Sequence, residues 1–312
     1  MTGKRFFCAL LLFSVLLSLA ACAASPAPEE PDGVALRDVN GSTVRLRPES
    51  RLVFGEASLA ECWLLAGGMP VGVPLDAIEE RALPLAADTA AVGTVKSPDL
   101  EKIAALEPDY VVLSADLSAH AQLKDSLEQM GIPCGYFRLD SFEDYRELMA
   151  QFCAVTGRAD LYEENVLSVE MRIAALREKL PEAPGLSALL LRAYSTGMKA
   201  KTDDNPAGKI LKDFGLENPA ESNPSLLEEL SIEKIILDDP DYIFVMTMGS
   251  ETEAREYLRA NVESDPAWSG LSAVKNGRYI ILPQELFHYK PNDRWDDSYE
   301  YLAKIIYPDL FD

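Results

Sequence analysis

Histidine is nearly absent from this sequence: only His120 and His288 occur among 312 residues. Binding sites for bare zinc or manganese gather several histidines with carboxylates, so a histidine-rich metal site is excluded. Common catalytic signatures are missing too, because the sequence has no G-x-S-x-G, H-E-x-x-H, G-x-G-x-x-G or P-loop pattern. His288 with a carboxylate has the residue types of a general base, but no motif places a nucleophile beside it. The sequence therefore does not predict an enzyme.

Positive charge is also scarce. The chain has 29 Lys and Arg against 51 Asp and Glu, which gives a formal net charge of −22. So acidic a surface repels phosphate backbones, and nucleic acid is excluded as a partner.

Cysteine is the third scarce residue, with five copies. Cys8 and Cys22 lie in the first segment, which leaves Cys62, Cys134 and Cys153 for the body of the protein. Each of the three lies in an apolar stretch without C-x-x-C spacing, and an odd number cannot all pair. We therefore predict buried free thiols, with one disulfide among them as the alternative.

The first 33 residues have the features of an export and anchoring segment. Lys4 and Arg5 precede an apolar run that is shorter than the ~20 residues of a membrane-spanning helix. The following Leu-Ala-Ala-Cys resembles a bacterial lipobox. That resemblance implies that residues 1–21 are removed as a signal peptide and that Cys22 is lipidated, which anchors the protein on the extracytoplasmic face of the cell membrane. An ordinary signal peptide with a chance cysteine is the alternative. Residues 22–33, rich in Ala and Pro, are predicted to be a tether.

Beyond the tether, Asn40-Gly41 between two alternating stretches predicts a β-hairpin. Short apolar strands then alternate with amphipathic helices, which predicts an α/β fold with mostly parallel sheets covered by helices. The predicted strands are Arg51 to Gly55, Asp109 to Ser114, Pro133 to Leu139, Leu186 to Arg192, Asp241 to Met246 and Gly277 to Leu282. The predicted helices are Ser58 to Ala66 with Ser58 as N-cap, Pro98 to Leu106, Ala119 to Met130, Asp160 to Leu180, Gly208 to Phe214, Ser231 to Leu237 and Tyr299 to Ile306.

An internal repeat suggests two similar lobes. Residues 100–110 (LEKIAALEPDY) and 232–242 (IEKIILDDPDY) match at Glu, Lys, Ile, Pro, Asp and Tyr, and an apolar strand follows each. A common helix-to-strand turn used twice is the alternative. We expect an N-terminal α/β lobe at residues 34–158, a linking helix at 159–182 and a C-terminal α/β lobe at 183–312.

The order and spacing of these pieces resemble the class III substrate-binding proteins of ABC importers for iron–siderophores, haem and cobalamin. The likeness covers roughly residues 34–310 and includes VGTVKSPDLEKIAALEPDYVV and WSGLSAVKNGRYIILPQELF. It implies two α/β lobes joined by one rigid helix, with a ligand cleft between them and little relative motion. It also implies a permease and an ATPase as partners, with Glu101 and Glu233 docking onto permease arginines. Ordinary solvated glutamates at these two positions are the alternative.

The strand ends that face the implied cleft supply the candidate ligand contacts. In the N-terminal lobe they are Glu56, Ser58, Thr94, Lys96, Ser114 and Asp116. In the C-terminal lobe they are Arg192, Tyr194, Lys199, Lys201, His288, Tyr289, Lys290 and Arg294. The second set concentrates basic side chains in an acidic chain, which favours an anionic ligand held by charged hydrogen bonds.

We predict a ferric siderophore as the ligand, and the family likeness leaves haem or cobalamin as alternatives. Haem would take an axial ligand from His288, Tyr289, Tyr194 or Met198. No separate cofactor is implied, because the small-molecule metal chelate itself would carry the iron. A sensory lipoprotein or an enzyme on the same scaffold is the alternative from another functional class.

Overall fold

The computed structural model describes residues 32–181, 185–223, 225–228 and 232–311. The predicted signal peptide (1–21), the lipidation site Cys22 and most of the predicted tether (22–33) lie outside the described residues. Residues 34–312 form one compact unit. None of the described helices combines the length and the apolarity that crossing a membrane requires.

Thirteen strands in the described residues form two large sheets and two hairpins. They are β1 (Val34–Arg37), β2 (Thr43–Leu46), β3 (Leu52–Phe54), β4 (Gly72–Val73), β5 (Ala90–Ala91), β6 (Gly93–Thr94), β7 (Ser97–Pro98), β8 (Tyr110–Ser114), β9 (Cys134–Phe137), β10 (Ala188–Tyr194), β11 (Gly197–Lys201), β12 (Tyr242–Thr247) and β13 (Tyr279–Ile281). The first large sheet has the order β5-β4-β3-β8-β9 and is parallel throughout. The second has the order β11-β10-β12-β13, with β11 as an antiparallel edge strand.

Helices precede or follow most of these strands. They are α1 (Ala57–Leu65), α2 (Leu75–Glu79), α3 (Leu100–Ala105), α4 (Ser118–Ala121), α5 (Lys124–Gln129), α6 (Phe142–Thr156), α7 (Ala159–Tyr162), α8 (Ser168–Arg177), α9 (Pro206–Asp213), α10 (Pro219–Ser222), α11 (Ser225–Glu228), α12 (Ile232–Asp238), α13 (Glu251–Leu258), α14 (Ser272–Lys275), α15 (Gln284–Phe287) and α16 (Trp295–Ile306). A π-helical turn, Glu163–Leu167, joins α7 to α8, so the chain is helical from 159 to 177.

The predicted α/β architecture is confirmed, and three local predictions need correction. The predicted helix from Ala119 to Met130 is two short helices, because the buried side chain of His120 holds the first against the end of β8. The long helix ends near Arg177, three residues earlier than predicted. Glu56, rather than Ser58, occupies the N-cap of α1, and its side chain makes no capping hydrogen bond.

The internal repeat has the same geometry in both halves. Glu107 and Asp239, which precede the proline of each copy, both have positive φ, of 45° and 36°. The aspartate that follows the proline accepts a backbone hydrogen bond from the start of the neighbouring strand: Arg51 N donates to Asp109 Oδ2 over 2.7 Å, and Ser187 N donates to Asp241 Oδ2 over 2.8 Å. The repeat is therefore one helix–turn–strand unit used twice. In each copy the aspartate fixes the register between its own strand and the parallel neighbour, β8 with β3 and β12 with β10.

One apolar core continues from the first sheet to the second. It includes Phe54 of the first sheet, Phe244 of the second and Ile173 of the long helix between them. Trp295 at the start of α16 meets Phe142 at the start of α6 edge to face, with ring centroids 6.2 Å apart. Because close-packed interiors resist sliding, this shared core favours small relative motion of the two halves.

The three cysteines of the body are free thiols as predicted, but only two of them are buried. Cys62, Cys134 and Cys153 are all free thiols; the first and last are buried, and Cys134 is half-buried. Burial raises the pKa of each thiol, so all three are held in the unreactive protonated form.

Candidate ligand-binding cleft

The carboxyl ends of the first sheet meet a loop from the second half of the chain. This loop, residues 288–292, follows α15 and leads into α16. The ammonium Nζ of Lys290 donates to Asp140 Oδ1 over 2.5 Å, just beyond the end of β9. The backbone N of Lys290 approaches Ser58 Oγ at 3.4 Å, in the first turn of α1. The two halves are thus in polar contact where parallel α/β sheets usually place their ligands.

The charges of three basic side chains act on His288, which lies in this loop. Burial, followed by the charges of Arg192, Arg81 and Lys290, lowers the pKa of His288 to about 4. The imidazole is therefore neutral at neutral pH. The charges of three basic side chains therefore act on one imidazole, in a chain whose net charge is −22.

Arg81 is already engaged. Its guanidinium donates to Glu61 Oε2 over 2.5 Å and to Ser58 Oγ over 2.7 Å, and it lies 4.8 Å from the ring centroid of Tyr289. Only 7% of its side chain is exposed. Arg81 therefore braces Tyr289 by a cation–π contact where helix α1 meets the 288–292 loop.

Arg192 is engaged less closely than Arg81. It lies near the end of β10, and its guanidinium makes no hydrogen bond or ion pair with any side chain in the described part of the chain. Its antiparallel neighbour in β11 is Lys199, directly opposite it in the register, so both side chains leave the same face of the sheet. These two adjacent cations are a candidate anion-binding feature of the second half, although the charge of Arg192 also acts on the carboxylate of Asp204.

A chain of alternating charges lies opposite. Arg138 Nε donates to Asp116 Oδ1 over 3.0 Å and is 3.7 Å from Asp140, which in turn binds Lys290. Burial, and then the negative charge of Asp140, raise the pKa of Asp116 above its usual range. The two acids and two bases neutralise one another across the boundary between the halves.

The remaining candidate residues of the C-terminal lobe are more dispersed. Lys201 forms an ion pair with Asp204, and Tyr194 is the last residue of β10. Arg294 is exposed at the N-cap of α16 and pairs with Asp297 in the first turn of that helix, at 2.9 Å. Among the described residues, no hydrogen bond or ion pair joins Arg294 to the basic side chains around His288.

The remaining N-terminal candidates also separate. Glu56 is half-buried at the N-cap of α1. Thr94 and Lys96 are exposed in the β6–β7 turn, where Thr94 Oγ1 accepts from Ser97 N. Ser114, at the end of β8, is buried.

His120 has a structural role in this region. Its Nδ1 accepts from Ser114 N over 2.9 Å, which leaves Nε2 to donate to Val95 O over 3.1 Å. The side chain is fully buried, and burial lowers the pKa of the imidazole. His120 thus ties the end of β8 to the turn that carries Thr94 and Lys96.

Glu101 and Glu233 occupy equivalent positions in the two halves. Each is the second residue of a short helix, α3 or α12, and each is exposed. Both therefore present a carboxylate to solvent, as the docking prediction requires, and their use by a permease stays a prediction.

Sequence reasoning missed five side chains of the cleft. They are Glu61, Arg81, Arg138, Asp140 and Asn292. Arg138 and Asp140 carried a signal, because they lie just beyond the end of β9, as the predicted Asp116 lies just beyond the end of β8. The other three reach the cleft from helices or a loop, and no local pattern marks such positions.

The shifted pKa of His288 predicts a loss of stability in acid. The pKa of the folded protein, about 4, lies below the ordinary value of 6.5, so the unfolded chain takes up a proton that the folded chain refuses. The free energy of unfolding should therefore fall as the pH drops from 6.5 towards 4, by about 2 kcal/mol through this residue.

The measurement is urea unfolding at pH 7 and pH 4.5, for the parent and His288→Gln. The parent should lose more stability than the variant, and equal losses would show that His288 does not titrate as described. His120 titrates in both proteins, so its contribution cancels in the comparison.

The family model for the periplasmic binding proteins matches residues 57–286 of this chain. The chain belongs to the periplasmic binding protein family. A curated relative, the Fe(3+)-citrate-binding protein YfmC of Bacillus subtilis (strain 168), is 26% identical over 257 residues, which cover 80% of this chain and 78% of YfmC.

Solved structures of this type share the fold. FeuA from Bacillus subtilis, complexed with ferri-bacillibactin, superposes with a TM-score of 0.69 at 18% identity, over 87% of this chain and 98% of FeuA. Staphylococcus aureus SirA, complexed with staphyloferrin B, gives 0.66 at 20% identity, over 88% and 98%. The resemblance to the class III periplasmic binding proteins seen in the sequence is thereby confirmed.

Proposed function

We propose that this periplasmic binding protein captures a negatively charged ferric chelate outside the cell and delivers it to the permease of an ABC importer. One observation carries the proposal: Arg192 and Lys199 stand opposite each other on one face of the second sheet, and the charges of Arg192, Arg81 and Lys290 act on His288 in an acidic protein. The ligands of similar proteins, ferric citrate for YfmC and siderophores for SirA and FeuA, support a chelate as the cargo.

The chemistry of the cleft suits such a ligand. Iron chelators of the carboxylate and catecholate types carry excess negative charge, and a guanidinium can hold a carboxylate by two parallel hydrogen bonds. Tyr289 contacts both the guanidinium of Arg81 and the ring of His288, and it offers an aromatic surface beside those charges. Within the described residues, no group of three or more His, Cys, Asp or Glu side chains is arranged to hold a metal ion, so the chelator would supply the iron ligands.

Location and delivery are part of the same proposal. Lipidation at Cys22 would keep the protein at the outer face of the membrane, and mass spectrometry of the mature N-terminus would test it. Glu101 and Glu233 would then dock the two halves onto equivalent arginines of a permease, since the two helices that carry them are copies of one unit.

Ligand identity is tested by titrating the apo-protein with ferric citrate, a ferric tris-catecholate, a neutral ferric hydroxamate, haem and cobalamin. Tryptophan fluorescence supplies the readout. We expect an anionic ferric chelate to bind most tightly. Preferred binding of haem with a shifted Soret band would support the haem alternative. Binding of the neutral chelate or of cobalamin alone would contradict the proposed charge-based recognition.

Replacing Arg192 with methionine should weaken binding of the preferred chelate about 30- to 100-fold, the equivalent of about 2–3 kcal/mol for a desolvated charged hydrogen bond. Arg294→Met is the matched control, because Arg294 is exposed and already paired with Asp297. We expect it to change the affinity less than threefold.

Two further variants separate binding from delivery. Glu101→Ala and Glu233→Ala should bind the chelate as the parent does and should impair uptake by cells, since both side chains lie on exposed helix surfaces. Equal affinities of Arg192→Met and the parent would contradict the assigned site, whatever the uptake assay shows.

A further inference from the structure

Lys290 has an internal partner that competes with any ligand. Its ammonium lies 2.5 Å from Asp140 Oδ1, and the two side chains are only 20% and 19% exposed. A charge-assisted hydrogen bond in such a place is stronger than the usual surface ion pair. Lys290 therefore cannot serve a ligand without giving up this contact or sharing it.

Asp140 cannot follow Lys290 if the lysine turns away. The backbone N of Asp140 donates to Asp144 Oδ2 over 3.0 Å, and the next residue, Ser141, is the N-cap of α6 in a reciprocal capping box with Asp144. These contacts fix the backbone of Asp140 at the start of a 15-residue helix. The long stem of Lys290, by contrast, allows its ammonium to swing.

Asp140 would not be left without compensation after such a swing. Arg138 Nε lies 3.7 Å from its second carboxylate oxygen and also binds Asp116. One guanidinium can therefore hold both carboxylates when the lysine leaves. This removes the large penalty that normally accompanies the loss of one partner from a partly buried ion pair.

Lys290 lies two residues after His288 in the same loop, near the basic side chains of the second half. Its charge acts on His288 together with that of Arg192, whose guanidinium makes no hydrogen bond or ion pair with a described side chain. A chelate that binds Arg192 thus brings its negative charge into the field of the lysine.

We infer that Asp140 is a specificity-determining residue that occupies Lys290 in the empty protein and that an anionic chelate must displace. Only ligands with enough negative charge can compete for the lysine, so Asp140 discriminates against neutral and weakly anionic molecules. The inference rests on the proposed function, because it assumes that an anionic chelate binds in this cleft.

A double-mutant cycle tests it with two probes, ferric citrate and a ferric tris-catecholate, at one ionic strength. Asp140→Asn should bind the tighter of the two probes about 3- to 10-fold more strongly than the parent, since the lysine is released. Lys290→Met should bind it more weakly. In the Lys290→Met background, Asp140→Asn should change the affinity less than twofold.

The cycle distinguishes displacement from simple repulsion. Direct repulsion between Asp140 and the anion would tighten binding equally in both backgrounds, which would overturn the inference. Weaker binding by Asp140→Asn would overturn it as well, because Asp140 would then position the lysine for the ligand.

Glu128→Gln is the control for net charge. Glu128 pairs with Lys124 near the end of α5, just before the start of β9, whereas Asp140 follows the end of that strand. We expect Glu128→Gln to leave the affinity for the probe unchanged within twofold. Tightening equal to that of Asp140→Asn would overturn the inference.

If the parent binds neither probe, the proposed function fails together with the inference. If the parent binds and Asp140→Asn binds no more tightly, the inference alone fails.

Discussion

Replacing Gly135 with alanine should lower the free energy of unfolding by about 3 kcal/mol. Gly135 lies in β9, and a Cβ atom there would stand 2.0 Å from the hydroxyl oxygen of Tyr110 and 3.1 Å from Cβ of Asp38. Tyr110 begins the neighbouring strand β8 and is only 2% exposed, so it has little room to move aside. Chemical denaturation followed by circular dichroism measures the loss.

The steric origin of this loss can be checked by rescue. Combining Gly135→Ala with Tyr110→Phe removes the closest atom, although Cζ of the ring remains 3.0 Å from the new methyl. We therefore expect the phenylalanine to recover about half of the lost stability. Gly197→Ala in β11 is the matched control, since a Cβ atom there meets nothing within 4 Å, and it should change the stability by less than about 0.5 kcal/mol. An undiminished loss in the double variant would contradict the clash with Tyr110.

The parts of the fold that the sequence predicts well are those set by neighbours in the chain. Asn40-Gly41 gives the β1–β2 hairpin, in which Gly41 has a φ of 82° that other residues rarely adopt. The Pro-Asp-Tyr of each repeat copy gives a turn and a strand start, because Asp109 and Asp241 each bond to the next strand. Local chemistry is sufficient for such elements.

One element was missed even though its signal was local. Helix α6 begins with the capping box of Ser141 and Asp144 and ends at Gly157, which has a φ of 73°. A serine followed three residues later by an acidic residue is a known sequence signal for the start of a helix. Glycine is the residue that most often follows the end of a helix, because it readily adopts positive φ. Reading these two signals together predicts the helix.

The cleft was only partly predictable, for a different reason. Rules about strand ends identify Ser114 and Asp116, and the same rules extend to Arg138 and Asp140. They cannot identify Arg81, which follows a short helix and acquires its role only through contacts with side chains distant in sequence. Which lysine or arginine stays unpaired also depends on long-range packing, so a count of basic residues cannot separate Arg192 from Arg294.

Asn292 illustrates such a long-range role, and its removal should be the second most damaging change that we predict. Its side-chain amide donates to Ser58 O over 3.1 Å and to Glu61 Oε2 over 2.6 Å, while its carbonyl oxygen accepts from the thiol of Cys62 over 3.4 Å. It thereby connects the loop before α16 to helix α1, more than 200 residues earlier. The side chain is 1% exposed, so water cannot replace these bonds.

Asn292→Ala should lower the free energy of unfolding by about 3 kcal/mol, because it leaves buried donors and acceptors without partners. The backbone contributes separately. Asn292 has a φ of 54°, in the left-handed region that glycine and asparagine tolerate and alanine does not. Asn292→Gly loses the same hydrogen bonds without this strain, so it should be more stable than Asn292→Ala by about 1 kcal/mol.

The exposed Asn276 serves as the matched control, and Asn276→Ala should change the stability by less than about 0.5 kcal/mol. Urea unfolding of the parent, Asn292→Ala, Asn292→Gly and Asn276→Ala gives the differences in the free energy of unfolding. If the glycine variant were as stable as the parent, the hydrogen bonds of Asn292 would contribute nothing, and only its backbone conformation would explain the residue. If both variants lose stability in the expected order, the contact between α1 and the 288–292 loop is a fixed connection. Ligand capture would then have to proceed by movements of side chains such as Lys290 rather than by separation of the two halves at this point.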